Sequence, residues 1–336
     1  MANPPRDGRR ARTWRIARAE LRRRLSAIAV LLPLLAAGMT TGSMAQQADA
    51  SIPLMARAAG GTAQYVRISI GGGPAVPVSV DTGSAGLYVF RREVGPEVER
   101  TATPIHQGYV DGTRFDGYVG LATVRFPGTS LATTRMKIGV ITQVSCAPEQ
   151  PRCPGSDQKP GVMGVGMDTG GRLASPFAQL PGPAGSGFVV DARPGGAPHI
   201  ILGPSAGTLA RFRFVDLRPG RPSTIGLPSW DSGSARGCYR VNGEAAACQE
   251  VIFDTGEWDT VFDPGSARSM RLGPHGFLLP GQDFELDVPG ALRLRIQTDR
   301  SMYIKPKATA RSNSGTLVFR YVAVAFDAQH GRIGFE

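Results

Sequence analysis

Two stretches of the chain end an apolar run on the same three residues. Val78-Ser79-Val80-Asp81-Thr82-Gly83 and Val251-Ile252-Phe253-Asp254-Thr255-Gly256 are one phrase written twice, 173 residues apart, and each is followed by another apolar run. A carboxylate at the end of a buried strand is costly to leave unpaired, and Gly two residues on lets the backbone turn tightly. If the two segments meet about a pseudo-two-fold axis, Asp81 and Asp254 face each other. Like charges at about 3 Å cannot both ionise, so such a pair shares one proton. One carboxylate can then activate a water while the other donates to a carbonyl oxygen, which is amide hydrolysis without a covalent intermediate. A third copy, Asp168-Thr169-Gly170, lacks the flanks: Gly166-Met167 before it is no apolar strand, and Gly171-Arg172 after it reads as loop.

The elements that must position these residues read as strands. Val66, Ile68 and Ile70 alternate with Arg67 and Ser69, Val76, Val78 and Val80 with Pro77 and Ser79, and Leu292, Leu294 and Ile296 with Arg293 and Arg295. That period of two marks half-buried strands. Helical signals are few and short: Ser175-Pro176-Phe177-Ala178, and Asp263-Pro264-Gly265-Ser266, where an Asp cap precedes Pro at the first helical position. With 44 Gly and 27 Pro supplying turns, the chain is expected to be all-β. The repeat divides it into two similar lobes, residues 46–206 and 207–336.

Residues 1–45 read as an address label. Nine Arg against Asp7 and Glu20 place seven of the eleven net positive charges there, and Arg22-Arg23-Arg24 leads into the apolar run Leu25 to Met39 and then Ser43-Met44-Ala45. This is the three-part pattern of a secretory signal peptide, and the run is short for a membrane span of about 20 residues. Cleavage after Ala45 is expected rather than a retained anchor, giving an exported chain, periplasmic or secreted, with no membrane span in its mature part. The weakly basic remainder has no Lys/Arg run with interleaved aromatics, so no nucleic-acid partner is expected.

Cysteine use agrees with export. Cys146 with Cys153 and Cys238 with Cys248 form two close pairs, each able to close a small loop in an oxidising compartment, and neither has metal spacing. Asn242-Gly243 is a hairpin signal that puts Cys238 and Cys248 on facing strands. The four His are scattered singly, and the Gly-rich stretch 161–171 is followed by no Lys-Ser/Thr. No metal and no cofactor are expected.

These residues resemble the pepsin-like aspartic proteases, from about residue 60 to the end, as a bacterial-type exported member. Asp81-Thr82-Gly83-Ser84-Ala85-Gly86-Leu87-Tyr88-Val89 is similar to that family's active-site loop, with Tyr88 where Trp is usual, and Thr255 and Gly256 continue the second loop. Gly108-Tyr109-Val110-Asp111-Gly112 followed by Gly117-Tyr118-Val119-Gly120 resembles the flap hairpin, with Tyr109 as the flap tyrosine. Gly161 to Gly166 resembles the strand that threads behind the first loop, Ile200 to Gly203 the end of the first lobe, and Phe326 to Gly334 the last strands. The resemblance implies an all-β bilobal fold, a cleft for extended peptide, and endopeptidase activity by a monomer on peptide or protein substrates. Two features depart from the family. Glu257-Trp258-Asp259 stands where Ser or Thr usually bonds the second carboxylate, and Asn313-Ser314 precedes Gly315 where two apolar residues are usual. They point to a wetter, more acidic setting for Asp254 and keep open an alternative, a pepsin-fold protein that binds peptide or protein with weak or lost catalysis.

Asp81 lies 36 residues past Ala45, and the family's first strands need nearly all of that length. Mass spectrometry of exported protein is expected to find a mature start at Gln46, without a long propeptide, and both cysteine pairs oxidised.

Overall fold

The alternating runs form strands with the expected faces inward. Val66, Ile68 and Ile70 are buried while Arg67 is exposed, and Leu292 and Leu294 are buried between exposed Arg293 and Arg295. The computed structural model describes residues 49–56, 63–153 and 160–336; the expected signal peptide lies outside them. The fold is nearly all β, a bilobal pepsin-like arrangement that has three sheets among the described residues.

The first sheet runs from Met55–Ala56 through Ala63–Ile70, Val76–Asp81, Gly161–Val165, Ala85–Phe90, Met136–Cys146 and Thr113–Ala122 to Glu99–Gly108. The second sheet orders Leu292–Gln297, Asp283–Val288, Ala235–Val241, Glu244–Ile252, Arg311–Asn313, Thr260–Phe262 and Ile304–Pro306. A third, six-stranded sheet takes three strands from each half of the chain: Ala50–Pro53, Phe188–Asp191 and His199–Leu202, with Arg213–Asp216, Val324–Asp327 and Arg332–Phe335. Its core is aromatic. Phe188 stacks on Phe326 at 4.7 Å between centroids, and Phe253, just before Asp254, packs edge-on to Phe335 at 4.8 Å.

The repeated phrase is a repeated topology. In the first lobe Gly161–Val165 lies between Val76–Asp81, to which it is parallel, and Ala85–Phe90, to which it is antiparallel. In the second lobe Arg311–Asn313 lies in the same way between Glu244–Ile252, in parallel, and Thr260–Phe262, in antiparallel pairing. Gly164 pairs with Asp81, and Ile252 pairs with Asn313. A third strand thus passes behind each Asp-Thr-Gly turn and fixes where its carboxylate emerges.

Hairpin and disulfide expectations hold. Asn242 and Gly243 both take positive φ, 50° and 82°, between Ala235–Val241 and Glu244–Ile252, and Cys238 and Cys248 are register partners joined by a disulfide. Cys146 and Cys153 are joined as well. The helical expectations fare differently. Phe177–Gln179 is a short 3-10 turn, whereas Asp263 starts no helix: its Oδ1 accepts from Gly265 N at 2.8 Å, and Gly265 turns left-handed at φ 55°. That local side-chain bond competes with helix initiation. An unanticipated helical turn, Ala206–Leu209, is capped by Ser205, whose Oγ accepts from Thr208 N.

Gly164 shows how tightly the threading strand passes the first turn, since a Cβ there would stand 2.7 Å from backbone atoms of Ser84 and Ala85. Rigid backbone cannot yield as a flexible side chain can. Gly164→Ala is therefore expected to destabilise the protein by about 1–3 kcal/mol in denaturant unfolding.

Candidate active site

Two turns meet at the base of the cleft, and their threonines lock them together. Thr82 Oγ1 donates to Phe253 O at 2.6 Å and accepts from Thr255 N at 3.0 Å, while Thr255 Oγ1 donates to Val80 O at 2.8 Å and accepts from Thr82 N at 3.2 Å. Each hydroxyl thus satisfies one backbone donor and one backbone acceptor of the other lobe. Both side chains are buried, so these bonds face little competition from water.

The lock brings the two carboxyls together. A Cβ on Gly83 would stand 2.4 Å from Asp254 Oδ2, and one on Gly256 would stand 2.6 Å from Asp81 Cγ. Each glycine therefore leaves room for the other lobe's carboxyl, a need that accounts for Gly as the third residue of the phrase. Asp81 and Asp254 are both largely buried, while Gly83 and Gly256 are open to the cleft.

Their partners differ. Asp81 Oδ1 accepts from Gly83 N at 2.8 Å and Ser84 N at 3.1 Å, and Oδ2 accepts from Ser84 Oγ. Asp254 Oδ1 accepts from Gly256 N at 2.7 Å, and Oδ2 accepts from Asn313 Nδ2 at 2.8 Å. Burial first, and then the charge of Asp81, push the Asp254 carboxyl up to about 7, against the Asn313 and Gly256 donors that favour its ionised form.

Asn313 corrects the sequence reading. Glu257 and the polar pair before Gly315 together lead the sequence to imply a wetter, more acidic setting for Asp254, yet Asp254 is buried, the Asn313 amide donates to it, and Asn313 Oδ1 accepts from Gly315 N at 2.8 Å. It supplies to the second carboxyl the donor that Ser84 supplies to the first. Glu257, at the position matching Ser84, turns away: its Oε1 accepts from Trp258 N at 2.9 Å and Asp259 N at 3.1 Å within its own loop. Burial raises the Glu257 carboxyl, and the charges of Asp254 and Asp259 add to that against the two amides.

Gln64 also escaped the sequence reading. Its buried amide donates to Thr255 O at 2.9 Å from the strand Ala63–Ile70. A Gln just ahead of the alternation Val66, Ile68, Ile70 was the available signal, but its partner is 191 residues away.

Tyr109 sits at the start of the turn between Glu99–Gly108 and Thr113–Ala122. Its O accepts from Gly112 N, and its ring packs against Phe115 at 5.3 Å. The hydroxyl is buried without a hydrogen-bond partner among the described residues. Burial raises the phenol well above its usual range, with the charge of Asp81 adding to the effect, which puts Tyr109 within electrostatic reach of the first carboxyl. Tyr88 donates instead to Gln107 Oε1 at 2.9 Å. The third copy stays apart from the pair, with Asp168 ion-paired to Arg221 at 2.6 Å.

Residues 50–211 match the family described as the PE-PGRS C-terminal aspartyl peptidase-like domain. That segment, which carries Asp81 and Tyr109, is similar to an aspartyl-protease-like family, and Asp254 lies beyond it. No curated protein matches the chain. Among the described residues no helix is long and apolar enough to cross a membrane, and no group of His, Cys, Asp and Glu could hold a metal ion.

The Asn313 bond gives a signed expectation. A hydrogen bond to a charged group contributes about 1.5–3 kcal/mol, and one pKa unit is about 1.4 kcal/mol. Asn313→Leu removes a donor that favours ionised Asp254, so the alkaline limb of a pH-rate profile is expected to move up by roughly one unit.

Proposed function

We propose that the chain is an exported aspartic endopeptidase in which Asp81 and Asp254 activate one water between them. The observation that carries this reading is the reciprocal placement of each glycine against the other lobe's carboxyl, with Asp254 raised by burial and by Asp81. Two carboxyls so close hold one proton in the active form. Asp254 keeps that proton, and Asp81, with three donors on its oxygens, is left as the base.

The chemistry follows from that asymmetry. Asp81 takes a proton from water as its oxygen adds to the scissile carbonyl carbon, and Asp254 protonates the carbonyl oxygen. The tetrahedral diol collapses as Asp254 takes back a hydroxyl proton and Asp81 passes its own to the departing amine. Thr82 and Thr255 set the distance between the carboxyls, and Ser84 and Asn313 orient them. Tyr109 stands at the start of the flap turn, within electrostatic reach of Asp81, and its buried hydroxyl would donate to or accept from a peptide group that reached it.

The alternative, a pepsin-fold binder without catalysis, drew on Glu257 and on Asn313-Ser314. The Asn313 bond to Asp254 weakens it, since that residue does the work of the usual hydroxyl.

Asp81→Ala and Asp254→Asn are each expected to cut cleavage of a mixed peptide library by at least about a hundredfold. Stability separates chemistry from folding. Burial and the charge of Asp81 hold the native Asp254 carboxyl well above the value of about 3.9 for an unfolded one, so the native state keeps a proton that the unfolded chain loses, and wild-type stability falls as pH rises above about 4 toward the raised native value. Asp254→Asn escapes the loss, and its Tm at neutral pH is expected to equal or exceed that of wild type. Full cleavage by either variant overturns the reading.

A further inference from the structure

A groove of about 670 Å³ opens beside the first Asp-Thr-Gly turn, between Gly83 and Ser84 on one side and the Pro219–Arg221 and Asp231–Gly233 loops on the other. Tyr88, Gln107 and Arg172 line it from the first lobe. Its charges are mostly cancelled. Arg221 pairs with Asp168 at 2.6 Å, Arg311 pairs with Asp231 at 2.9 Å and Glu250 at 2.7 Å, and Arg218 bridges the same two carboxylates at 3.1 and 2.7 Å.

Arg172 is the exception. Among the described residues no carboxylate lies within ion-pairing distance of its guanidinium, which donates from Nη1 to Pro104 O at 2.6 Å. That bond anchors it to the first flap strand, Glu99–Gly108. Its charge also acts on the Tyr88 phenol, lowering it against the larger upward effect of burial, so guanidinium and phenol are neighbours. The Tyr88 hydroxyl is committed to Gln107 Oε1 at 2.9 Å, and the Gln107 amide to Gly108 O at 2.9 Å. A held, planar cation with spare N–H groups beside a polar wall is suited to a carboxylate, which guanidinium binds through two parallel bonds.

We propose that Arg172 makes this end of the cleft a carboxylate-recognising subsite, which takes an Asp or Glu side chain or a free C-terminal carboxylate of a bound peptide. The proposal rests on the reading of the cleft as a peptide site. An extended strand advances about 3.3 Å per residue, so the subsite acts at one position a few residues from the scissile bond and on one side of it only.

The test uses matched peptides that differ by Glu or Gln at successive positions around a bond cleaved by the wild type, and a second set that ends there as acid or amide. The wild type is expected to favour Glu over Gln about tenfold in kcat/KM at one position, the scale of a partly exposed charge-assisted pair. A matching preference for acid over amide assigns the C-terminal source, and its absence assigns the side chain. Arg172→Gln brings the ratio close to one, Arg172→Lys keeps part of it, and Arg172→Glu turns the preference toward Lys. Should these variants misfold, the wild-type ratio itself must shrink as salt rises from roughly 50 to 500 mM. Equal ratios in wild type and Arg172→Gln at every position, or a salt-independent ratio, overturn the subsite while leaving the protease reading intact. If the wild type cleaves nothing, the same pairs are titrated onto it by fluorescence anisotropy. Glu-selective binding that Arg172→Gln abolishes then keeps the subsite and removes the catalytic reading, and equal binding of Glu and Gln peptides overturns both.

Discussion

The four hydrogen bonds that Thr82 and Thr255 make across the lobes, two with each other and one each to Phe253 O and Val80 O, set the geometry on which everything else in the cleft depends. Neither lobe can shift against the other at this point without stranding buried backbone groups, and each such loss costs about 1–3 kcal/mol. Because the bonds are reciprocal, they also impose local two-fold symmetry on the turns, whatever the lobes do farther out. Gln64 reinforces the second turn by donating to Thr255 O, so that loop is held from the first lobe by side chains of both Thr82 and Gln64. A pair of carboxyls that would repel if both ionised is kept together by neutral groups beneath them.

Symmetry at the base coexists with asymmetry at the carboxyls. Ser84 serves Asp81 from three residues along its own turn, whereas Asn313 serves Asp254 from the strand that threads behind it. The exchange works because Ile252 and Asn313 are register partners, which brings the Asn side chain up beside the turn. Asn313 also closes its own loop by accepting from Gly315 N, so its amide is held at both ends. That leaves the position of Glu257 free of any duty to the dyad, and its carboxylate binds the amides of Trp258 and Asp259 instead.

What was legible in the sequence was local or repeated. The phrase around Asp81 and Asp254 could be read because strand, turn and carboxylate are consecutive, and the second copy implied a partner for the first. Val66 to Ile70, the Asn242-Gly243 hairpin and the facing cysteines were readable for the same reason. Gln64 and Arg172 were not, and Asn313 was legible only in part: its place behind Asp254 followed from the resemblance, but the bond that it makes there did not. Gln64 acts across 191 residues, so nothing near it in sequence names its partner. Arg172 stood in what read as a loop after the third Asp-Thr-Gly, and the role proposed for it depends on ion pairs elsewhere in the groove that hold Arg221 and Arg311 and leave its own charge without a carboxylate. The helix expected at Asp263 failed at a smaller scale, because the same side chain that can cap a helix can also close a turn, and Gly265 admits the left-handed backbone of the turn.

The flap carries the remaining tension in the site. Its second strand, Thr113–Ala122, pairs with Met136–Cys146 up to Thr113 and Cys146 at the tip, so the hairpin is the edge of a sheet rather than a free arm. The loop closed by Cys146 and Cys153 extends that support, with Ala147 N donating to Gly112 O at 2.7 Å. Peeling the whole hairpin away would break the ladder, so motion is cheapest in the turn itself, where Val110 is 87% exposed. Tyr109 stands at the root of that turn with its ring held by Phe115 and its hydroxyl buried and unpaired. An unpaired buried hydroxyl costs about 1–3 kcal/mol, a cost that a peptide group lying between flap and carboxyls would remove. Under the proposed reading substrate and flap would be coupled, because a peptide that reached this hydroxyl would also complete the hydrogen bonding of the turn above it.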